Sequence, residues 1–153
     1  MRIPRVILAA VSFSAASRVA LTLAAWLAQQ YGAELQVLHV EDPLLLSAAD
    51  YLGFDLLADT QQQLQLLLAE IWPAAATLPL SHVIAGPDVD VVLDVAHRAG
   101  AYLVVIGQGS MSMPEQLIFD SMTAGLMKRA DVQVIVAPTE WAPPGNERTP
   151  CSN

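Results

Sequence analysis

The chain of 153 residues is long enough for one compact domain and leaves little room for a second. Hydrophobic residues make up 54% of it and charged residues only 14%, against a usual charged share of about 25%, so we expect part of the surface to be buried against a partner. With 7 basic residues against 15 acidic ones, the net charge of -8 argues against a nucleic-acid-binding protein.

The lone cysteine and the N-terminus bear on the compartment. Cys151 has no second cysteine to pair with, which excludes an internal disulfide and fits a reducing cytosol. The basic start and the apolar run at 6–11 imitate a signal peptide, but the run ends at Ser12 and Arg18 follows soon after. No stretch reaches the roughly 18 uninterrupted apolar residues of a membrane span. We therefore expect a cytoplasmic protein that does not bind membranes.

Apolar segments of strand length alternate with segments of helix length along the chain. The strands are nearly continuous apolar runs, as expected of parallel strands that are covered on both faces. In chain order we predict a strand at 6–11, a helix at 14–31, a strand at 35–40, an irregular segment at 41–59, a helix at 60–72, a strand at 80–85, a helix from Pro87 to Gly100, a strand at 102–106, a helix ending near Ala130 and a strand at 132–137.

Two of these helices carry clear boundary signals. Ser14 is a favoured N-terminal cap for the first helix, and Gly32 stands where a left-handed terminator belongs. Pro87 is favoured at the first helical position, and Asp88 and Asp90 fall in the first turn, where the helix dipole favours negative charge.

The alternation of strands and helices predicts an α/β fold, a Rossmann-like three-layer sandwich with a parallel sheet between two layers of helices. Such sheets bind ligands beyond the carboxyl ends of their strands. Functional residues are therefore sought after Val11, Val40 and Ile106. After Pro138 the chain turns polar and rich in proline, so we predict a domain at 1–138 and a disordered tail at 139–153.

Several segments carry a family resemblance when they are taken in order. They are ILAAVSFSAASRVAL at 7–21, YGAEL at 31–35, VLHV at 37–40, VVIG at 104–107, FDS at 119–121 and VQVIVAP at 132–138. Together they resemble the universal stress protein family from residue 5 to residue 138, most weakly between 42 and 79. The resemblance implies a five-stranded parallel sheet of order 3-2-1-4-5.

The resemblance also implies a homodimer in which the last strands of two subunits meet. Val132, Val134 and Val136 are the candidate interface residues on that strand. An unpaired last strand would be an exposed edge that invites association, and pairing removes that edge. The excess of apolar residues agrees with such an interface.

Nucleotide-binding members of this family carry the motif G-x-x-G-x9-G-[S/T] after the fourth strand and an aspartate that ends the first. The glycines of that motif let backbone N–H groups approach the phosphates. In this chain the motif positions are Gly107, Ser110, Asp120 and Ser121, and Ser12 stands at the aspartate position. Two of the three glycines are absent, so the resemblance implies a degenerate motif.

Asp120 is the most damaging of these changes. Its carboxylate can cap the following helix through the N–H groups of Met122 or Thr123, which are donors that a phosphate would use. Two negative groups about 4 Å apart repel by about 4 kcal/mol at an effective dielectric of about 20, which is roughly a thousandfold in affinity. A magnesium ion that bridges Asp120 and a phosphate would turn this repulsion into a net attraction.

The candidate residues for a nucleotide or another small ligand surround the three strand ends and the motif. They are Ala10, Val11, Ser12, His39, Val40, Ile106, Gly107, Ser110, Asp120, Ser121, Met122 and Thr123.

Neither the histidines nor the serines form a pattern that indicates catalysis or metal binding. His39, His82 and His97 have no spacing that links them as metal ligands, and only His39 falls near the predicted cleft. No nucleophile elbow or evident Ser-His-Asp set is present. We predict no metal site, no catalytic residue and no enzymatic activity.

The segment at 44–57 is unusually apolar for a connection. Most connections are short, and long ones are typically lids or binding elements. We interpret it as a helix that completes the core; a short helix over the cleft and a contact with a second subunit are the alternatives.

The resemblance, together with its degenerate motif, implies a non-catalytic stress-response or regulatory homodimer that does not bind ATP and acts on an unidentified protein partner. One alternative is a switch that binds ATP or AMP despite the altered motif, through Mg²⁺ at Asp120. The other alternative is a carrier of another small neutral ligand.

Overall fold

The structure is a computed structural model that describes residues 5–72, 77–107, 124–126, 128–129 and 131–145. Its elements in chain order are β1 (Val6–Ala10), α1 (Ala15–Tyr31), β2 (Glu34–Glu41), α2 (Pro43–Leu52), α3 (Leu56–Ile71), β3 (Leu80–Ala85), α4 (Asp88–Ala99), β4 (Ala101–Gly107) and β5 (Gln133–Ala137). Residues 124–126 and 128–129 are also helical.

The five strands pair in parallel in the order β3-β2-β1-β4-β5, which confirms the predicted topology. β1 lies at the centre and is buried along its whole length. Ile7 faces one core, which it shares with Leu21 of α1 and Leu64 of α3. Leu8 faces the other core, with Val92 of α4. The continuous apolar run in the sequence is therefore the result of burial on both faces.

The boundary signals of the first long helix are confirmed. Ser14 precedes α1, and its side chain accepts a hydrogen bond from the backbone N–H of Ser17. Gly32 ends the helix in the left-handed region at φ 60°. α4 ends before Gly100 as predicted, but it begins at Asp88, because Pro87 is the extended residue that precedes the helix.

The predicted irregular segment at 41–59 is wrong, because it contains all of α2 and the first turn of α3. Asp42 caps α2 ahead of Pro43, and Asp55 caps α3 by accepting from the N–H of Ala58. Between them, Gly53 adopts the left-handed conformation at φ 81° that ends α2. The interpretation of α2 as a helix that completes the core is also wrong, since none of its residues is buried.

The predicted tail begins at residue 139, and the structure describes it as far as residue 145. Trp141 packs edge-on against Trp26 of α1, with ring centroids 5.6 Å apart. This contact attaches the chain to the first core beyond Pro138. Residues 146–153, including Cys151, lie outside the described residues. Within the described part of the chain, no helix is long and apolar enough to cross a membrane.

A buried carboxylate attaches α3 to the end of β2. Glu41 accepts a hydrogen bond of 2.9 Å from the hydroxyl of Thr60 and one of 3.2 Å from the backbone N–H of Asp42. Both Glu41 and Thr60 are buried. A buried charged acceptor that loses a donor is destabilised by its uncompensated desolvation, so this contact positions α3 at the carboxyl end of the sheet.

Thr60→Val removes this hydroxyl while it preserves the shape of the side chain. We expect the free energy of unfolding to fall by about 1–3 kcal/mol, measured by urea denaturation. Thr22→Val is the matched control, because that threonine donates only to the Arg18 carbonyl on an exposed part of α1; its loss should stay below about 0.5 kcal/mol. Equal losses in the two variants would contradict a special role of the Glu41 contact.

Gly107 ends β4 against the first turn of α1. A Cβ atom at this position would lie 2.8 Å from the Ala16 carbonyl oxygen and 2.9 Å from its carbonyl carbon. Because these are backbone atoms, the helix itself would have to move.

Gly107→Ala should therefore lower the free energy of unfolding of the ligand-free protein by about 1–3 kcal/mol, as an overpacked core does. The measurement is urea denaturation without added nucleotide. A free energy of unfolding equal to that of the wild type would show that α1 can move away from residue 107 without loss of stability, and that close packing is not the reason for a glycine there.

Candidate functional site

A cleft of about 800 Å³ opens beyond the carboxyl ends of β1, β2 and β3. Ligands of parallel α/β sheets bind at this edge. The cleft is lined by residues 12–14 after β1, residues 39–43 at and beyond the end of β2, residues 86–88 after β3, and Leu45, Leu56, Asp59, Thr60 and Gln63 of α2 and α3.

The structure brings some of the predicted ligand-binding residues together. Ser12, His39 and Val40 line the cleft. Ala10, Val11 and Ile106 are buried at the strand ends, and Gly107 lies against α1. The remaining candidates, Ser110, Asp120, Ser121, Met122 and Thr123, lie outside the described residues.

Three serines close the turn between β1 and α1. The Ser12 hydroxyl donates to Ser14 Oγ at 2.9 Å and lies 3.1 Å from Ser17 Oγ. The Ser12 backbone N–H donates to Ser17 Oγ at 2.7 Å. Because Ser17 is fully buried, the network belongs to the folded turn. Ser12, at the position where the family resemblance places an aspartate, is thus already engaged within the protein.

His39 is held in one orientation on the floor of the cleft. Its Nδ1 lies 2.9 Å from the carbonyl oxygen of Val11. A carbonyl only accepts, so Nδ1 carries the proton and donates. The ring also packs against Phe13, with centroids 5.1 Å apart, and its Nε2 lies 3.7 Å from Glu41 Oε2. The imidazole therefore links the ends of β1 and β2 and keeps one nitrogen toward Glu41.

The cleft is acidic. Glu41, Asp42, Asp59 and Asp88 are among its lining residues, and in the part of the chain that the structure describes no lysine or arginine lines it. Burial raises the pKa of the Asp88 carboxyl, the charge of Asp42 raises it further, and His39 acts in the opposite direction. This combination disfavours an anionic ligand and favours a neutral or cationic one.

Sequence analysis missed most of the acidic lining. Asp42 and Asp59 fell in the segment that was predicted to be irregular, and Asp88 was assigned only to a helix terminus. The pair Asp42 and Pro43 is typical of a helix start. A helix that starts directly after β2 would have placed the Asp42 carboxylate at the mouth of the cleft.

The other two histidines lie away from the cleft. His82 Nε2 lies 3.1 Å from Gln36 Oε1 across β2 and β3. His97 Nε2 lies 2.6 Å from an Asp131 carboxylate oxygen on the surface, and this hydrogen bond lowers the pKa of Asp131. In the described ranges, no three His, Cys, Asp or Glu residues are arranged to hold a metal ion.

The candidate dimer strand β5 forms one edge of the sheet. Among the described residues it pairs with β4 alone. It begins at Gln133, so Val132 lies just before the strand. Val134 and Val136 are partly buried and pack toward the core on the α4 side of their own sheet.

Comparison with known proteins identifies the family. The family model of universal stress proteins matches residues 4–138. A search of curated proteins found no match. Among solved structures, the universal stress protein UspA from Lactobacillus plantarum is 23% identical with a TM-score of 0.72, over 90% of this chain and 100% of that one.

Two further similar structures carry nucleotides. A universal stress protein in complex with cAMP is 20% identical with a TM-score of 0.64, over 89% of this chain and 98% of that one. The universal stress protein from Archaeoglobus fulgidus in complex with dAMP is 18% identical with a TM-score of 0.64, over 90% and 100%. These likenesses show the shared fold. With the family match over residues 4–138, they establish that the chain belongs to the universal stress protein family.

Proposed function

We propose that this chain is a non-catalytic regulatory domain of the stress response, which acts as a homodimer through protein contacts and does not bind ATP tightly. The observation that carries the proposal is the acidic cleft, which has no lysine or arginine among its described lining residues. A triphosphate brought to the described part of this cleft meets carboxylates rather than lysine or arginine side chains.

The altered motif supports the same conclusion. Ser12 replaces the aspartate of nucleotide-binding members, and its hydroxyl is engaged with Ser14 and Ser17. Ser110 and Asp120 replace two glycines of the phosphate loop. A side chain at each of these two positions hinders the close approach of phosphate oxygens to the backbone.

A monophosphate switch is the second candidate. It is favoured by the cAMP and dAMP complexes of two similar proteins. A monophosphate carries less charge into an acidic cleft than ATP does, and Mg²⁺ at Asp120 would offset part of the repulsion. A carrier of a small neutral ligand is the third candidate, since Phe13, Leu45 and Leu56 give the cleft an apolar wall.

Nucleotide titration by calorimetry tests the loss of ATP binding. With Mg²⁺ present, the wild type and Asp120→Gly should both bind ATP weakly or not at all, because Ser12 and Ser110 remain. The triple variant Ser12→Asp, Ser110→Gly, Asp120→Gly restores the motif and should gain at least about tenfold in affinity over Asp120→Gly alone.

Mass spectrometry of small molecules released from freshly purified protein accompanies the titration. Near-stoichiometric ATP, ADP or AMP, or tight ATP binding by the wild type, would contradict the proposal. A released molecule of another class would favour the carrier.

Light scattering tests the homodimer. The wild type should show about twice the monomer mass, and Val134→Asp on β5 should weaken the association, because it places a charge on the pairing strand. Val83→Asp is the matched control, because Val83 is likewise a partly buried valine that packs on the core, on β3 at the other edge of the sheet; it should leave the dimer mass unchanged. Circular dichroism confirms that each variant is folded. A wild type that stays monomeric at micromolar concentration contradicts this part of the proposal.

A further inference from the structure

α2 is a well-formed helix that buries none of its residues. Leu44, Tyr51 and Leu52 are 79%, 91% and 67% exposed. Two more large apolar side chains, Leu45 of the same helix and Phe54 just beyond it, are also exposed. Because Leu45 also lines the cleft, we define the α2 surface by the other four residues, Leu44, Tyr51, Leu52 and Phe54.

The apolar side of α2 faces solvent. Leu44, Ala48, Tyr51 and Leu52 follow the spacing i, i+4, i+7, i+8, which places them on one face of a helix. All four are exposed, whereas Leu46, on another face, is half-buried. A surface helix of a soluble domain normally turns its apolar stripe to the core, and α2 does the reverse.

Local capping holds this helix in shape. Asp42 accepts a hydrogen bond of 2.8 Å from the N–H of Leu44, and Pro43 occupies the start of the helix. At the other end, the N–H of Phe54 donates to the Ala49 carbonyl at 2.8 Å. An isolated helix of this length is marginal in water, so α2 is specified by its caps and its contact with α3. The result is an ordered apolar surface before any partner arrives, which lowers the entropic cost of binding.

The surroundings of the α2 surface are acidic. Asp42, Asp50, Asp55 and Asp59 are all exposed within and beside the helix. The sequence contains no lysine or arginine between Arg18 and Arg98. An apolar patch rimmed by one sign of charge is complementary to a partner that carries apolar side chains with the opposite charge.

We propose that the α2 surface binds a basic amphipathic helix of a partner protein, with apolar side chains against Leu44, Tyr51 and Leu52 and lysine or arginine side chains toward the aspartates. A second copy of this chain fits less well, because it would bring its own acidic rim against the first one. Anionic membranes and nucleic acid are repelled by the same charges. The inference rests on the proposed function, because it specifies the chemistry of the protein partner that this function requires.

The probe is a fluorescein-labelled peptide of about 18 residues, built from leucine and lysine in an amphipathic helical pattern. Its control is the same composition in an order that creates no apolar face. Fluorescence anisotropy should show saturable binding of the patterned peptide to the wild type, and at least about tenfold weaker binding of the scrambled one.

Matched variants locate the binding. Tyr51→Ser with Leu52→Ser should weaken the patterned peptide about tenfold or more while the protein keeps its melting temperature, because these side chains bury nothing in the fold. Tyr31→Ser with Leu80→Ser exchanges the same residue types, also exposed, at the opposite end of the sheet. That control pair should bind like the wild type.

A second pair of variants separates charge from contact. Asp50→Asn with Asp55→Asn keeps a capping side chain at the start of α3 and removes two acids, so binding should weaken and depend less on salt. Asp94→Asn with Asp131→Asn makes the same change of net charge elsewhere and should have a smaller effect.

Four results would overturn the inference. They are equal binding of the scrambled peptide, wild-type binding by the Tyr51 and Leu52 variant, a drop in oligomer mass in that variant, and binding of the wild type to anionic phospholipid vesicles through this surface. The ATP titration and the oligomer mass of the β5 variant are measured separately. Failure of the proposed function is therefore distinguishable from failure of the peptide interaction.

Discussion

The fold depends on one constraint, the burial of β1 on both faces. Each residue of this strand is shielded from solvent, and successive side chains point alternately into two different cores. A strand of this kind requires helices above and below it and neighbours on both sides, so the parallel three-layer arrangement follows from it. The carboxyl ends of β1, β2 and β3 are then brought to one edge of the sheet, and the cleft forms there.

The polar groups at that edge are engaged mainly with one another. Ser12 bonds with other serines of its own turn, His39 donates to the end of β1, and Glu41 accepts from α3. Buried polar groups must find partners, and here the protein itself supplies them. Ser12 and His39, which the sequence predicts to contact a ligand, are thus engaged within the protein, and this supports the proposal that the cleft does not bind phosphate.

The apolar residues of the chain lie in two kinds of place. One is the pair of cores around β1, which accounts for the strand-like runs. The other is α2, where leucine and tyrosine side chains are presented to solvent beside aspartates. An excess of hydrophobic residues in a sequence therefore does not by itself show which of these residues stabilise the fold and which are exposed and available for association.

The sequence by itself determined the α/β class, the parallel strands and the ends of α1, because continuous apolar runs and local capping residues such as Ser14 and Gly32 act over a few neighbouring positions. Through the family resemblance it also indicated the strand order. It failed at 41–59, where Asp42, Gly53 and Asp55 do carry helix boundaries, and where the apolar residues suggested a helix that completes the core although α2 buries none of its residues. Only the tertiary structure decided which face of α2 meets solvent and which carboxylates share the cleft, because both depend on contacts between segments that are distant in sequence, such as Glu41 with Thr60 and His39 with Val11.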